Sequence, residues 1–125
     1  MKKIEIGSTG EYFACQYLIG NGYRIIERNY REKFDEIDIV ALSRDSTLVF
    51  CEVKTFLGNF NSCESLTPED NMTSFKIRKT KRACEMFVAK HQNFFNLRRG
   101  WRIDCAVVLI DNNFCDYKVT YYENI

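Results

Sequence analysis

The sequence lacks any apolar run long enough to cross a membrane. One of its longest, CAVVLI at 105–110, has six residues, whereas a membrane-spanning helix needs about 20. Lys2 and Lys3 stand near the start, but the segment that follows, IEIGSTGEYF, contains two acids and no apolar core of a signal peptide. These absences predict a cytoplasmic protein that does not interact with membranes.

Metal-binding cysteine pairs are also missing. The six cysteines are widely spaced, no two form a C-x-x-C pair, and the chain has a single histidine, so the usual spacings of a zinc site are absent. Cys51 and Cys105 lie in apolar runs, where a free thiol behaves as a small hydrophobic side chain. The pattern indicates reduced thiols in a reducing compartment.

Proline occurs once, at position 68, within the polar segment 57–72. This segment is predicted to be the one long loop, because the rest of the chain reads as regular elements. With 125 residues, of which 46% are hydrophobic and 28% charged, the composition is typical of a globular chain, and residues 1–125 are predicted to form one domain.

The apolar patterns predict two helices and five strands. The first helix is expected to begin at Ser8, which forms a capping box with Glu11. The second carries an apolar face of Ile77, Cys84, Phe87 and Val88. The predicted helices span 8–21 and 74–91, and the strands 23–30, 36–42, 47–54, 101–110 and 114–123. This order predicts an α/β domain with a mixed sheet covered by helices.

Three charges interrupt the apolar hairpin EIDIVALSRDSTLVFCEVK at 36–54: Asp38, Glu52 and Lys54. If the loop is centred on Asp45, residue i pairs with residue 90 − i, so Asp38 lies opposite Glu52 and Glu36 lies opposite Lys54. The Cβ atoms of opposed residues are about 5 Å apart. Strand alternation also places Asp38 on one face with Glu36 and Val40.

Two carboxylates at this separation repel each other, and a divalent cation would relieve the repulsion. Mg²⁺ prefers oxygen ligands, often one or two carboxylates with waters and phosphate oxygens. A lysine beside them can orient or deprotonate an attacking water, or stabilise negative charge in the transition state. Metal-assisted phosphodiester hydrolysis is the chemistry that uses such a set.

The same charges also fit a solvated strand end, with Glu36 and Lys54 as a cross-strand ion pair. A register shift of one residue would separate Asp38 from Glu52. The residues alone therefore leave both interpretations open.

Charge is unevenly distributed along the chain. Residues 27–70 hold ten acids and five bases, whereas residues 76–102 hold nine bases and one acid. The bases concentrated at the start of the second helix are Lys76, Arg78, Lys79, Lys81 and Arg82. This group is typical either of a solvated helix face or of contact with a nucleic-acid backbone, and Arg98, Arg99 and Arg102 are expected to extend it. No base-reading element accompanies it, which favours recognition of shape over sequence.

The motifs together resemble a known family. GSTGEYFACQYLIGNGYRIIERNYR, EIDIVA, LVFCEVKT, KIRKTKRACEMF and WRIDCAVVLI follow in order the pattern of the YraN-like family of predicted endonucleases. That family is similar to archaeal Holliday junction resolvases within the PD-(D/E)xK superfamily. The resemblance implies a restriction-endonuclease-like fold, with a central mixed sheet of about five strands flanked by helices. It also implies a metal-dependent endonuclease acting on DNA, including branched DNA, as a monomer or homodimer.

By this resemblance Asp38 and Glu52 are the metal ligands for Mg²⁺, which Mn²⁺ can replace, and Lys54 is the catalytic lysine. Glu11 is the additional catalytic acid of the resolvase-like branch, unless its role is the capping box with Ser8.

Two positions depart from the family pattern. Asp35 stands where the family usually has glycine, and Phe56 where it tends to have a basic residue. They raise a second hypothesis, a nucleic-acid-binding module that keeps the fold and does not cleave. A third is an accessory protein that binds a partner through the basic helix. Asp104, in the RID segment, matches a family position but is equally explained by a buried ion pair.

Overall fold

The computed structural model describes residues 3–33, 35–58, 74–92, 99–113 and 116–125, without the side chains of 3–5 and 74–79. Its elements, in chain order, are helix α1 (Lys3–Gly20), strands β1 (Arg24–Glu32), β2 (Asp35–Leu42) and β3 (Leu48–Gly58), helix α2 (Ser74–Lys90), and strands β4 (Trp101–Asp111) and β5 (Tyr117–Tyr122).

The five strands form one mixed sheet in the order β1-β2-β3-β4-β5. β1 and β2 are antiparallel, as are β2 and β3, whereas β3 and β4 are parallel and β4 and β5 antiparallel. The parallel pair is joined through α2, as a parallel connection requires a crossover. This mixed sheet flanked by two helices is consistent with a restriction-endonuclease-like fold, and the predicted fold class is confirmed.

Each helix covers one face of the sheet. On one face, Cys15 and Leu18 of α1 pack with Ile39, Cys51 and Val108 of the sheet. The residues buried on the other face come from α2 and from strands β1 to β4: Tyr30, Ile37, Val40, Leu48, Phe50, Ala83, Cys84, Phe87 and Ile103. Burial of these apolar side chains is the main stabilising contribution to the fold.

Two predicted boundaries are wrong by more than three residues. Helix α1 begins at Lys3, so Ser8 lies inside the helix and is not its N-cap. The residues before Ser8 are compatible with a helix, because Gly7 costs only about 1 kcal/mol there. Strand β3 continues to Gly58, four residues past the predicted end, because β4 pairs with it along its whole length.

Several predictions fall outside the described residues: most of the 57–72 loop, Arg98, Cys63, Cys115, and the side chains of Ile77, Lys76, Arg78 and Lys79. The other four cysteines are free and buried, as predicted: Cys15, Cys51, Cys84 and Cys105. Among the described residues, neither helix has the length and apolar character needed to span a membrane.

Candidate active site at a fork in the sheet

The β2–β3 hairpin has the predicted register. Its pairs run from Leu42↔Leu48 to Ile39↔Cys51, which is the register centred on Asp45. The loop is held by local hydrogen bonds, since the Thr47 N–H lies 3.1 Å from Ser43 Oγ and 3.2 Å from Asp45 Oδ1. A polar turn of this kind fixes the register of the strands that it joins.

The ladder between β2 and β3 ends at Ile39↔Cys51 within the described residues, although both strands continue. Residues 35–38 of β2 remain next to β1, and residues 52–58 of β3 remain paired with β4. We call the place where the two strands separate the fork. Asp38 and Glu52 are the first residues beyond the last pair, so both candidate metal ligands lie at the fork.

A backbone irregularity on β1 accompanies the fork. The pairs Arg28↔Ile39 and Tyr30↔Ile37 place Asn29 level with Asp38, and Asn29 has a φ of +54°. This left-handed conformation is unusual in a strand, and asparagine tolerates it better than most residues. The alternation of faces breaks at the same level.

The broken alternation corrects one prediction. Ile37 and Val40 both pack on the α2 side, whereas Ile39 packs on the α1 side. Asp38 therefore does not simply share a face with Glu36 and Val40. Instead, the Val53 N–H donates to Asp38 Oδ2 at 2.8 Å across the fork. The Asp38 carboxylate thus takes the place of a main-chain acceptor, at the point where the ladder stops.

Burial and neighbouring acids raise the pKa of Asp38 to about 7. Loss of solvation is the largest cause and the charge of Glu52 is the second, while the Val53 hydrogen bond acts in the opposite direction and Glu11 and Glu36 add smaller repulsions. Such a shift arises when carboxylates share a poorly solvated site. The predicted proximity of Asp38 and Glu52 is thereby supported on electrostatic grounds.

Glu52 lies on the α2 side of β3. It is buried, and its charge contributes to the raised pKa of the Cys84 thiol, for which burial is the main cause. Val53 packs on the α1 side, so strand alternation places the half-buried Lys54 on the same side as Glu52.

Glu11 lies near the fork, on the side of the sheet that α1 covers. Its Oε2 is 3.6 Å from Nη2 of Arg28, and the amide nitrogen of Asn29, oriented to suit its acceptors, donates to Glu11 Oε1 and Oε2 at 3.3 and 3.2 Å and to Glu36 Oε1 at 3.2 Å. Burial raises the pKa of Glu11, and Arg28 and Asn29 partly offset this effect. Glu11 therefore has defined partners at the site, and the capping box with Ser8 does not form.

The ion pair predicted between Glu36 and Lys54 would lie beyond the end of the ladder. Glu36 Oε2 lies 3.7 Å from Nη2 of Arg31. In the part of the chain that the structure describes, no group of three or more His, Cys, Asp or Glu side chains is arranged to hold a metal ion. The acids at the fork offer a cation two carboxylates, those of Asp38 and Glu52.

Asp104 is fully buried and belongs to a separate hydrogen-bond network. It accepts from Arg102 Nε at 3.0 and 3.2 Å, from the Tyr121 hydroxyl at 2.6 Å and from the Asn124 N–H at 2.8 Å. It pairs with Cys51 in the sheet, so it points to the opposite face from Glu52. The buried ion pair thus explains Asp104. Arg102, held in this network, does not extend the basic surface, so that prediction is wrong.

Substitutions in the Asp104 network are expected to lower the stability of the fold and to leave the residues at the fork unchanged. Tyr121→Phe removes the hydroxyl that donates to the buried carboxylate, which is expected to cost about 1–2 kcal/mol of unfolding free energy. Tyr117→Phe is the control, because Tyr117 is exposed and stacks on Phe13 through its ring. Urea unfolding measures both, and equal stability of the two variants would contradict this account of the network.

The basic segment of α2 is described at Lys81 and Arg82, and both are exposed. Arg82 is not simply solvated, since its Nε is 3.1 Å from Asp35 Oδ2 and its Nη2 is 3.4 Å from Asp35 Oδ1. Arg82 thus meets β2 three residues before Asp38. The basic helix and the fork are therefore neighbours.

A model of a protein family, described as uncharacterised protein family UPF0102, matches residues 10–108. The chain belongs to the UPF0102 family. This is the YraN-like family that the motifs indicated. The match includes every candidate residue at the fork, from Glu11 to Lys54.

Several UPF0102 proteins are similar over most of the chain. One from Clostridium botulinum (strain Loch Maree / Type A3) is 32% identical over 123 residues, which cover 96% of this chain and 92% of the relative. One from Campylobacter hominis is 33% identical over 125 residues, covering 100% and 96%. One from Chlorobium chlorochromatii is 43% identical over 84 residues, covering 67% and 61%. Their shared name states no activity.

Two features of the site in this UPF0102 chain are not predicted by the sequence. Arg28 and Asn29 hold Glu11 beside the fork, and the only local signal was an asparagine within a strand pattern. Asp35 was read as a departure from the family, but it is buried and paired with Arg82. That pair joins residues 47 apart, and no local pattern encodes it.

Proposed function

We propose that this UPF0102 protein is a metal-dependent endonuclease that hydrolyses phosphodiester bonds in DNA, including branched or structured DNA. The observation that supports the proposal most directly is the meeting of Asp38 and Glu52 at the fork, where burial and mutual repulsion raise the pKa of Asp38. A site that forces two carboxylates together at an energetic cost is typical of a functional centre. The free, buried thiols agree with a protein of the reducing cytoplasm.

The residues at the fork fit a hard divalent cation. Asp38 and Glu52 would hold Mg²⁺, with Mn²⁺ as a substitute, because oxygen ligands suit both ions and Mg²⁺ commonly binds through one or two carboxylates. A bound divalent cation supplies Lewis-acid activation of water and of the phosphate. The charge of Glu11 adds to the raised pKa of Asp38. Glu11 would contact the bound cation directly or through water.

Lys54 is the remaining member of the proposed machinery. Its place two residues after Glu52 and on the same side of β3 allows its ammonium group to reach the phosphodiester that the carboxylates face. There it would orient the attacking water or stabilise charge developing on the phosphate oxygens. Lys81 and Arg82, with Lys76, Arg78 and Lys79 earlier on α2, would contact the DNA backbone.

A panel of DNA and RNA substrates tests the proposal. Duplex, flap, four-way junction and single strand are incubated with Mg²⁺ or Mn²⁺, and cleavage is followed on denaturing gels. We expect metal-dependent cutting of DNA by the wild type. Glu52→Gln is expected to reduce it by about 10²-fold or more, the scale of losing one electrostatic stabilising group. Glu85→Gln is the matched control, because Glu85 is an exposed acid on α2.

Cleavage that Glu52→Gln retains at the wild-type rate would refute the assignment of the site. Binding of DNA without cleavage under every metal condition would instead favour the second candidate, a module that keeps the fold and does not cleave. The half-buried Phe56 is the observation in its favour, because it offers no positive charge at a position where the resemblance to the family implies a base.

A further inference from the structure

A cavity of about 350 Å³ opens beside the fork, on the α2 side of the β1–β2 hairpin. Its lining residues are Glu32, Lys33, Asp35, Arg82 and Met86. Asp35 begins β2 three residues before Asp38, which corresponds to about 10 Å along a strand at roughly 3.3 Å per residue. Successive nucleotides of a DNA strand are spaced by about 3.4 Å along the helix axis. The distance between the cavity and the candidate metal ligands therefore corresponds to about three nucleotides.

The two members of the Asp35–Arg82 pair differ sharply in exposure. The Asp35 side chain is 6% exposed, whereas that of Arg82 is 64% exposed. A buried carboxylate needs a partner, and Arg82 supplies two donors, Nε and Nη2, at 3.1 and 3.4 Å. The contact fixes the guanidinium plane, while the rest of the exposed side chain faces solvent at the cavity. Arg82 is thus oriented before any ligand arrives.

Charge around the cavity favours an anion. Glu32 accepts from Lys90 Nζ at 2.7 Å and from the Tyr30 hydroxyl at 2.9 Å, so a cation offsets its charge as Arg82 offsets that of Asp35. Lys33 also lines the cavity. Three bases, Lys33, Arg82 and Lys90, therefore outnumber the two acids, Glu32 and Asp35. A planar guanidinium is well suited to bind phosphate oxygens.

We propose that Asp35 is a positioning residue, which holds Arg82 at this cavity to bind a backbone phosphate of the nucleic acid within about three nucleotides of the cleaved bond. The inference rests on the proposed function, and it adds a contact that positions the DNA strand at the proposed site. It also gives Asp35 a binding role, whereas the sequence presents it as a departure from the family pattern that favours a module that does not cleave. The acid that replaces the usual glycine is matched by an arginine on the facing helix.

The two roles of Asp35 predict opposite effects on binding. If its carboxylate only repels phosphate, Asp35→Asn removes a negative charge and tightens binding. If it positions Arg82, Asp35→Asn weakens binding although the net charge becomes more positive. We expect a Kd for DNA that is roughly tenfold higher, the scale of one charge-assisted hydrogen bond. Glu85→Gln makes the same change in charge on α2 and is expected not to weaken binding.

The measurement is fluorescence anisotropy with labelled duplex and four-way junction DNA, without Mg²⁺, over a range of salt concentrations. Each phosphate contact contributes about 0.9 to the slope of log K against log salt. Asp35→Asn and Arg82→Gln are both expected to lower the slope by about one such contact. A purely structural role of the pair would lower the melting temperature and leave this slope unchanged.

Arg82→Lys keeps the charge but lacks the planar guanidinium, and Arg82 is exposed, so this variant tests the proposal even if Asp35→Asn does not fold. Binding weakened in Arg82→Lys supports the positioned contact. Wild-type binding in Arg82→Lys, or unchanged or tighter binding in a folded Asp35→Asn, would overturn it while leaving the nuclease proposal intact. A wild-type protein that binds none of the nucleic acids would overturn both.

Discussion

Asp38→Asn is expected to make the protein more stable above neutral pH and to abolish the proposed cleavage of DNA. The raised pKa of Asp38, about 7, means that the folded protein binds a proton there more tightly than the unfolded chain, whose aspartates titrate near 3.9. The protonated carboxyl therefore contributes stability that is complete below the unfolded pKa and is lost as the pH rises through about 7. Above pH 7 the ionised carboxylate remains at the fork at a cost.

Asparagine removes this cost, since it carries no charge and its amide oxygen can still accept from the Val53 N–H. At roughly 1.36 kcal/mol per pKa unit, the gain in unfolding free energy relative to wild type is about 3–4 kcal/mol at pH 8 and small near pH 4. Urea unfolding across this pH range measures it. The same substitution removes a proposed metal ligand, so cleavage is expected to be lost in a more stable protein.

Asp45→Asn is the control, with the opposite expected sign. Hydrogen bonds from Ser43 and Thr47 lower the pKa of Asp45 to about 2, so its ionised form adds stability above the unfolded pKa and loses it as the pH falls. Asp45→Asn is expected to destabilise the protein at pH 8. Addition of Mn²⁺ should raise the melting temperature of the wild type and not that of Asp38→Asn. A wild-type stability that does not decrease between pH 4 and pH 7 relative to Asp38→Asn would contradict the assignment.

Gly10→Ala is expected to cause the second large change, a loss of about 1–3 kcal/mol of unfolding free energy or more. A Cβ at position 10 would lie 1.8 Å from Thr55 Oγ1 and 2.7 Å from its Cγ2. Helix α1 therefore crosses β3 too closely for any side chain at this position. Because Glu11 follows directly, displacement of α1 would also move this acid away from Asp38.

Gly7→Ala tests whether the effect comes from the close approach. Nothing lies within 4 Å of a Cβ at Gly7 in the same helix, so this variant is expected to gain about 0.5–1 kcal/mol from helix propensity. Thermal unfolding distinguishes the two alanines. Thr55→Ala in the Gly10→Ala background removes the two closest atoms and should restore part of the loss. Equal stability of the two glycine variants would disprove the close packing of α1 on β3.

The hairpin could be predicted from sequence because its information is local. The polar loop around Asp45 and the alternating apolar residues on both sides fix the register, and the register places Asp38 level with Glu52. The apolar face of α2 could be predicted for the same reason, since Cys84, Phe87 and Val88 follow helical periodicity. In each case residues close in sequence determine the structure.

The remaining parts of the site depend on tertiary arrangement. The left-handed Asn29 becomes visible only when β1 is paired with β2, and Arg82 reaches Asp35 only when α2 lies on the sheet. Helix α1 begins before Ser8 because a local capping signal does not terminate a helix that neighbouring residues can extend. Sequence thus identified the residue types of the site but not the contacts that orient them.

The end of the β2–β3 ladder gives the proposed active centre a mechanical property. Asp38 is carried by β2, which is paired with β1, whereas Glu52 is carried by β3, which is paired with β4. Past Cys51 the β1–β2 pair and the β3–β4 pair are no longer joined by the β2–β3 ladder. The hydrogen bond from the Val53 N–H to Asp38 connects them there. The distance between the two carboxylates therefore depends on the angle between the two strand pairs past Cys51, and the Asp38–Val53 hydrogen bond is one contact that opposes a change in this angle.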